Sequence, residues 1–186
     1  MRSLNAGILT SRLQRRFSEW ATERRGATAV EFALIAAPFF FIIFGLLEIC
    51  LIFIMSTVLE NAVSDSAREI RTGQAQEAGF SMVEYRKSVC DSLFGLMGCD
   101  SNLHIDVKRL DSFSAANLTS PLDSDGNFDD GDFDFQPGSA NDIVAVRVYY
   151  EWSLVTPILS APLANMANGK HLIQAATVFR NEPFGD

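Results

Sequence analysis

The pattern of apolar and polar positions changes character three times along the chain. From Phe32 to Leu47, sixteen residues run without a charge or an amide side chain, and beyond Glu48 the apolar run resumes through Ile49–Met55. At about 1.5 Å per residue the sixteen cover roughly 24 Å of helix, and the run through Met55 exceeds the ~30 Å of a hydrocarbon core. A domain of this size cannot surround such a helix with protein, so the pattern predicts a membrane span. Past Met55 the apolar positions narrow to a stripe. Leu59, Ala62, Val63, Ser66, Ala67 and Ile70 share one helix face, so the helix is expected to leave the membrane and pack on a domain. Arg68 and Arg71, followed by Gly73, supply a stop.

A second helix is predicted from Phe80 to Leu96, with Phe80, Val83, Cys90, Leu93, Phe94 and Met97 available to one face and Gly95 and Gly98 to end it. The period then changes to two. Leu103, Ile105 and Val107 alternate with His104, Asp106 and Lys108, as in a strand with one wet face. Ile143–Trp152 is a stronger strand, with Val144, Val146, Val148, Tyr150 and Trp152 on one face opposite Arg147 and Glu151, and Leu172–Phe179 gives a third. Between the first two strands, Ser120–Asn141 is polar, rich in Asp and Gly, and reads as a long exposed loop. The expected fold is α+β: a long N-terminal transmembrane helix continuing into a small domain with a second helix and a short, mainly antiparallel sheet.

Charge adds an orientation. Residues 1–25 hold six Arg against Glu19 and Glu23, a balance of +4, whereas residues 60–186 hold nine bases against nineteen acids, a balance of −10. Short basic flanks stay cytoplasmic, so the N-terminus is expected in the cytoplasm and the acidic domain on the far side. In the leader, Leu4, Ile8, Leu13, Phe17 and Trp20 fit a basic amphipathic helix on the membrane surface. The expected division is a basic cytoplasmic leader over 1–26, a transmembrane helix over 27–55 and an extracytoplasmic α+β domain over 56–186. An acidic domain without a basic patch argues against nucleic-acid binding.

Three residues are wrong for a plain anchor. Glu31 and Glu48 frame the run seventeen residues apart, about 26 Å of helix, so both cannot sit at mid-membrane, and Glu48 is expected near the outer interface. A carboxylate at the centre of a span costs about 2.5–3.5 kcal/mol on insertion scales, so each is either a functional candidate with a partner or a side chain reaching the boundary. Pro38 removes a helical hydrogen bond and is expected to bend the first third of the span.

Arg24-Arg25-Gly26 precedes Ala27-Thr28-Ala29-Val30-Glu31-Phe32: a basic leader, a glycine, and a glutamate five residues beyond it. This resembles a type IV prepilin processing site. With Ala33-Leu34, Pro38, Gly45, Glu48 and the later Ala67-Arg68, the chain over about residues 24–73 resembles the TadE-like family of pseudopilins from the tight-adherence (Flp) pilus system. The C-terminal pattern is similar to that of many members: Asp142-Ile143-Val144, Tyr149-Tyr150, Trp152, Thr156-Pro157 and Arg180-Asn181-Glu182-Pro183-Phe184. The resemblance implies a pilin-like, single-pass protein of the bacterial inner membrane. It implies cleavage between Gly26 and Ala27 by a prepilin peptidase, with other pilins, pseudopilins and assembly machinery as partners beside the lipid bilayer. It also implies a task for Glu31, neutralising the new α-amino group of a neighbouring subunit. No small-x-small site follows the apolar run, which argues against ordinary signal-peptidase removal.

Other chemistry is sparse. Cys50 lies in the span as a small apolar residue. Cys90 and Cys99 could bridge if the second helix breaks near Gly95; a straight helix would hold them about 13 Å apart, and two buried thiols are the alternative. A metal site with His104 lacks a fourth ligand. Asp123, Asp125 and Asn127 have the spacing of an EF-hand start, but Phe128 stands where the turn needs glycine and Asp134 where a glutamate should close the loop. A solvated acidic loop is the expectation. Neither His104 nor His171 accompanies a nucleophile motif or a phosphate-cradling glycine loop. No cofactor and no catalysis are expected. The rival to the pseudopilin reading is a single-pass anchor carrying a ligand- or calcium-binding domain outside the membrane, and the mature N-terminus discriminates the two.

Overall fold

The structure, a computed structural model, describes residues 24–99, 101–156 and 160–185. The expected leader helix, and Pro157 of the C-terminal pattern, lie outside these. Helix α1 runs from Arg24 to Arg71, 48 residues with Pro38 inside it. A short α2 (Gln74–Glu77) and α3 (Met82–Asp91) follow, then strands β1 (Leu103–Leu110) and β2 (Ile143–Trp152), a one-turn α4 (Ser160–Leu163) and β3 (His171–Arg180). The chain forms two compact units, Met1–Phe44 and Gly45–Asp186. In the first, the described residues belong to α1.

The second unit is an α+β domain built on a three-stranded antiparallel sheet in the order β1-β2-β3. β2 is central because it is the most apolar strand, buried at Val144, Val146, Val148, Tyr149 and Tyr150. Opposite residues are set by Ile105↔Val148 and Val107↔Val146 on one side and Val148↔Ala175 on the other. This face meets the α1 stripe. Leu59, Ala62, Val63, Ala67 and Ile70 join Tyr85 and Val89 of α3, Leu93 and Met97 in one core. Ser66, the polar member of the stripe, is also buried; its hydroxyl donates to the Ala62 carbonyl at 2.8 Å and accepts the Tyr85 hydroxyl at 3.2 Å. Burial pushes the Tyr85 phenol pKa up, partly offset by the Ser66 bond.

α1 ends where expected. The Gly73 φ of 84° turns the chain, and a Cβ there would strike the Phe184 ring. The C-terminal Asn181-Glu182-Pro183-Phe184 therefore packs on the end of α1: the Glu182 N–H donates to the Arg71 carbonyl at 2.8 Å, and the buried Asn181 amide donates to the carbonyls of Pro137 and Ser139 at 2.9 and 3.0 Å.

Two expectations need correction. The second helix is shorter than 80–96. It begins at Met82 because Ser81 and Glu84 form a capping box, and it ends at Asp91 because Phe94 and Gly95 take left-handed φ of 52° and 71°. The second correction concerns the outer face of the sheet, which is not simply wet, because the loop after β1 folds back over it. Phe128 and Phe133 pack on Tyr149, with ring centres at 5.9 and 5.5 Å. Phe135 goes round the edge to Tyr85 at 5.4 Å. The Val107 N–H donates to the Asp134 carbonyl at 2.8 Å and the Gln136 N–H to the Val107 carbonyl at 2.7 Å, so this segment also pairs with the free edge of β1. The loop is solvated at its aspartates and folded at its phenylalanines.

An ion pair beneath the loop fixes it. Asp106 and Arg147 are opposite residues of β1 and β2, and Asp106 is fully buried. Arg147 Nε donates to Asp106 Oδ2 at 2.9 Å while its Nη1 donates to the Asn117 carbonyl at 2.8 Å. Asp106 Oδ1 accepts the Asp134 N–H at 3.0 Å. A buried charge must be paired and hydrogen-bonded, and here the partners that satisfy it are the strands and the loop.

Candidate functional site

Gly26 and Ala27 lie in the first turns of α1 and are exposed. A Cβ on Gly26 would meet nothing within 4 Å, and its φ is not in the left-handed region. Glycine inside a helix costs about 1 kcal/mol against alanine, so packing and backbone geometry give no reason for it. Glu31 is exposed, little more than one turn further along; Pro38 is exposed within α1. All four are exposed, Gly26 and Ala27 near the start of α1 and Pro38 well inside it.

Glu48 has a different environment. Its exposure is 1%, and both carboxylate oxygens are engaged: Oε1 accepts the Val155 N–H at 3.0 Å and Oε2 the Thr156 N–H at 2.9 Å. Those amides belong to the segment that leaves β2. The expectation placed Glu48 near a boundary; the structure adds that its side chain is held inside the second unit by backbone donors. Around it α1 stays apolar and exposed on its other faces, at Leu46, Leu47, Ile49, Phe53 and Ile54.

The breaks at Phe94 and Gly95 bring Cys90 and Cys99 together, Cα atoms 5.9 Å apart and sulfurs joined. Cys50 is a free, exposed thiol on α1. The histidines have structural surroundings. His104 Nε2 lies 3.2 Å from Glu151 and its Nδ1 3.3 Å from Asp130, while His171 Nδ1 lies 2.6 Å from the Leu163 carbonyl. Glu151 also accepts from Lys170 Nζ at 3.0 Å and Asn168 at 3.1 Å. Burial works to raise its carboxyl pKa, but the Lys170 bond and charge, with Asn168 and His104, outweigh it and hold the group below the usual range. In the Asp-rich loop, Asp123 accepts the N–H groups of Asp125 and Asn127 at 2.9 and 2.8 Å, so this carboxylate closes a turn. Among the described residues no group of three or more His, Cys, Asp or Glu is arranged to hold a metal ion.

Sequence reasoning missed the amides of Val155 and Thr156 as partners of Glu48, and the Asp106–Arg147 pair. The second was half open to discovery: Arg147 is a charge in the middle of an apolar strand, whereas Asp106 is one of several polar residues of β1, and only the register brings them opposite one another. The first has no local signal, because any backbone can donate.

Among the described residues, one helix long and apolar enough to cross a membrane, followed by a small α+β domain, fits a single-pass membrane protein. Over residues 26–68 the chain matches the family model described as TadE-like protein, the family its N-terminal motifs resemble. The match opens at Gly26 and closes at Arg68, so it takes in the glycine, both glutamates, Pro38 and most of the stripe buried under the sheet. No curated protein and no solved structure matches the chain. The TadE-like match supports a role associated with the Tad pilus in general terms, and pilus-assembly components as partners.

Proposed function

We propose that this protein is a TadE-like pseudopilin, a structural and assembly component of a tight-adherence (Flp type IV) pilus rather than an enzyme, processed by a prepilin peptidase between Gly26 and Ala27. The observation that carries the reading is that the family match begins at a glycine for which the fold has no use. A peptidase that binds the chain closely at this position would require that no side chain be there. The balance of +4 over residues 1–25 against −10 over 60–186 supports an inner-membrane protein with a cytoplasmic N-terminus and its domain on the periplasmic or extracellular side.

In this reading Glu31 pairs with the free α-amino group of a neighbouring subunit, in surroundings of low dielectric that strengthen the attraction. Its exposure on α1 leaves it available for that contact. Pro38 bends the helix for packing among other subunits. The bridge between Cys90 and Cys99 suits an oxidising compartment outside the cytoplasm. The test is Glu31→Gln. Co-purification with pilus components should fall while membrane integration and the amount of protein stay as in wild type. Unchanged co-purification would contradict the role given to Glu31.

A further inference from the structure

We propose that the segment Ser153–Thr156, leaving β2, is immersed in the bilayer surface beside α1, with lipid as its partner and Glu48 as the residue that positions it. Four observations support this. Glu48 fastens the Val155 and Thr156 amides to α1 at 3.0 and 2.9 Å. Beyond Glu48, on the faces of the helix turned away from the domain, the side chains remain apolar and exposed at Phe53 and Ile54, at 70% and 53%, while Glu48 and Met55 are buried and Leu51 and Ile52 half-buried on the domain side. Six residues of helix are about 9 Å, so a membrane that covers Phe53 and Ile54 reaches past the level at which the segment is tied. Val155 itself is 67% exposed, an apolar side chain mostly open to its surroundings.

The sequence of this connection is suited to lipid. From Ser153 to Gly169, seventeen residues carry no charge, in a chain whose residues 60–186 otherwise average one charged side chain in about four. Irregular backbone is tolerated at membrane depth only where its polar groups are satisfied, since an unsatisfied amide there costs several kcal/mol. The carboxylate of Glu48 meets that requirement for two consecutive N–H groups. A buried acid that would be costly in an apolar span is thereby matched with donors that would be costly without it.

The inference rests on α1 crossing a membrane, and the experiment separates the two. In a Cys50→Ala background with Cys90–Cys99 left oxidised, an environment-sensitive fluorophore is attached at Val155→Cys, Phe39→Cys or Ser124→Cys, and the full chain is reconstituted in phosphatidylethanolamine/phosphatidylglycerol vesicles. Quenchers are lipids carrying a nitroxide on the acyl chain, and iodide in the water outside. The label at 155 is expected to lose most of its fluorescence to the nitroxide lipid and little to iodide, as the label at 39 does, while the label at 124 shows the reverse. Iodide quenching at 155 with lipid quenching at 39 overturns the immersion and leaves the span intact. Failure of lipid quenching at 39 removes the span and the inference together. Val155 is exposed, so its replacement leaves the core alone; retained protease resistance of the domain checks this for each variant.

Discussion

Glu31 and Glu48 are the same residue type at the two ends of one apolar run, and they have opposite surroundings. Glu31 is exposed on α1, whereas Glu48 is 1% exposed and bonded through both oxygens to the backbone of a connection more than a hundred residues away in sequence. An acid in a span marks an interaction, but the mark does not say whether the partner is another molecule or the same chain. Here one glutamate is committed within its own domain, and the other is exposed, free for the association proposed for it. The two should therefore respond differently to the same substitution.

The largest loss of stability is expected away from both, at the buried pair that shows what a fully internal carboxylate is worth. Asp106→Ala strands Arg147 beneath the loop and should cost about 3–5 kcal/mol, read as a lower denaturation midpoint in detergent. Reduction of Cys90–Cys99 comes next: the bridge closes a loop of about ten residues, worth about 2–3 kcal/mol in the chain-entropy model. Thiol labelling of the denatured, unreduced protein should modify Cys50 alone, and modification at all three cysteines would remove the bridge from the account. Glu48→Gln keeps one acceptor and turns an NH2 group toward the other amide, so about 1–3 kcal/mol should be lost, with faster proteolysis of the domain. Glu31→Gln should leave the same denaturation midpoint unchanged. Equal losses for the two glutamates would erase the distinction.

Much of this fold was legible because period and burial coincide. The α1 stripe from Leu59 to Ile70 is buried residue for residue, and the second strand has the expected bounds, Ile143–Trp152. The third is one residue longer at each end. Errors arose where a local signal was outweighed or unread. The apolar residues from Leu93 to Met97 suggested that the second helix continues, but they are core contacts made by a turn, and the capping box at Ser81 and Glu84 was a readable start. The Asp-rich loop was taken by its average polarity, while its three phenylalanines determine where it lies. At the candidate site, the Gly26-to-Glu31 spacing was visible in one stretch of sequence. The capture of Glu48 was not, because it depends on where β2 ends relative to α1.

The pseudopilin account stands most directly on the residue at which the mature chain begins. Protein extracted from membranes of cells with and without the cognate prepilin peptidase can be sequenced from its N-terminus, alongside Gly26→Trp. The account predicts Ala27 in wild type only when the peptidase is present, and an unprocessed chain for Gly26→Trp, whose side chain fills the position next to the scissile carbonyl. A wild-type chain beginning at residue 1 or 2 in the presence of the peptidase, or an Ala27 terminus in the Gly26→Trp variant, would contradict it.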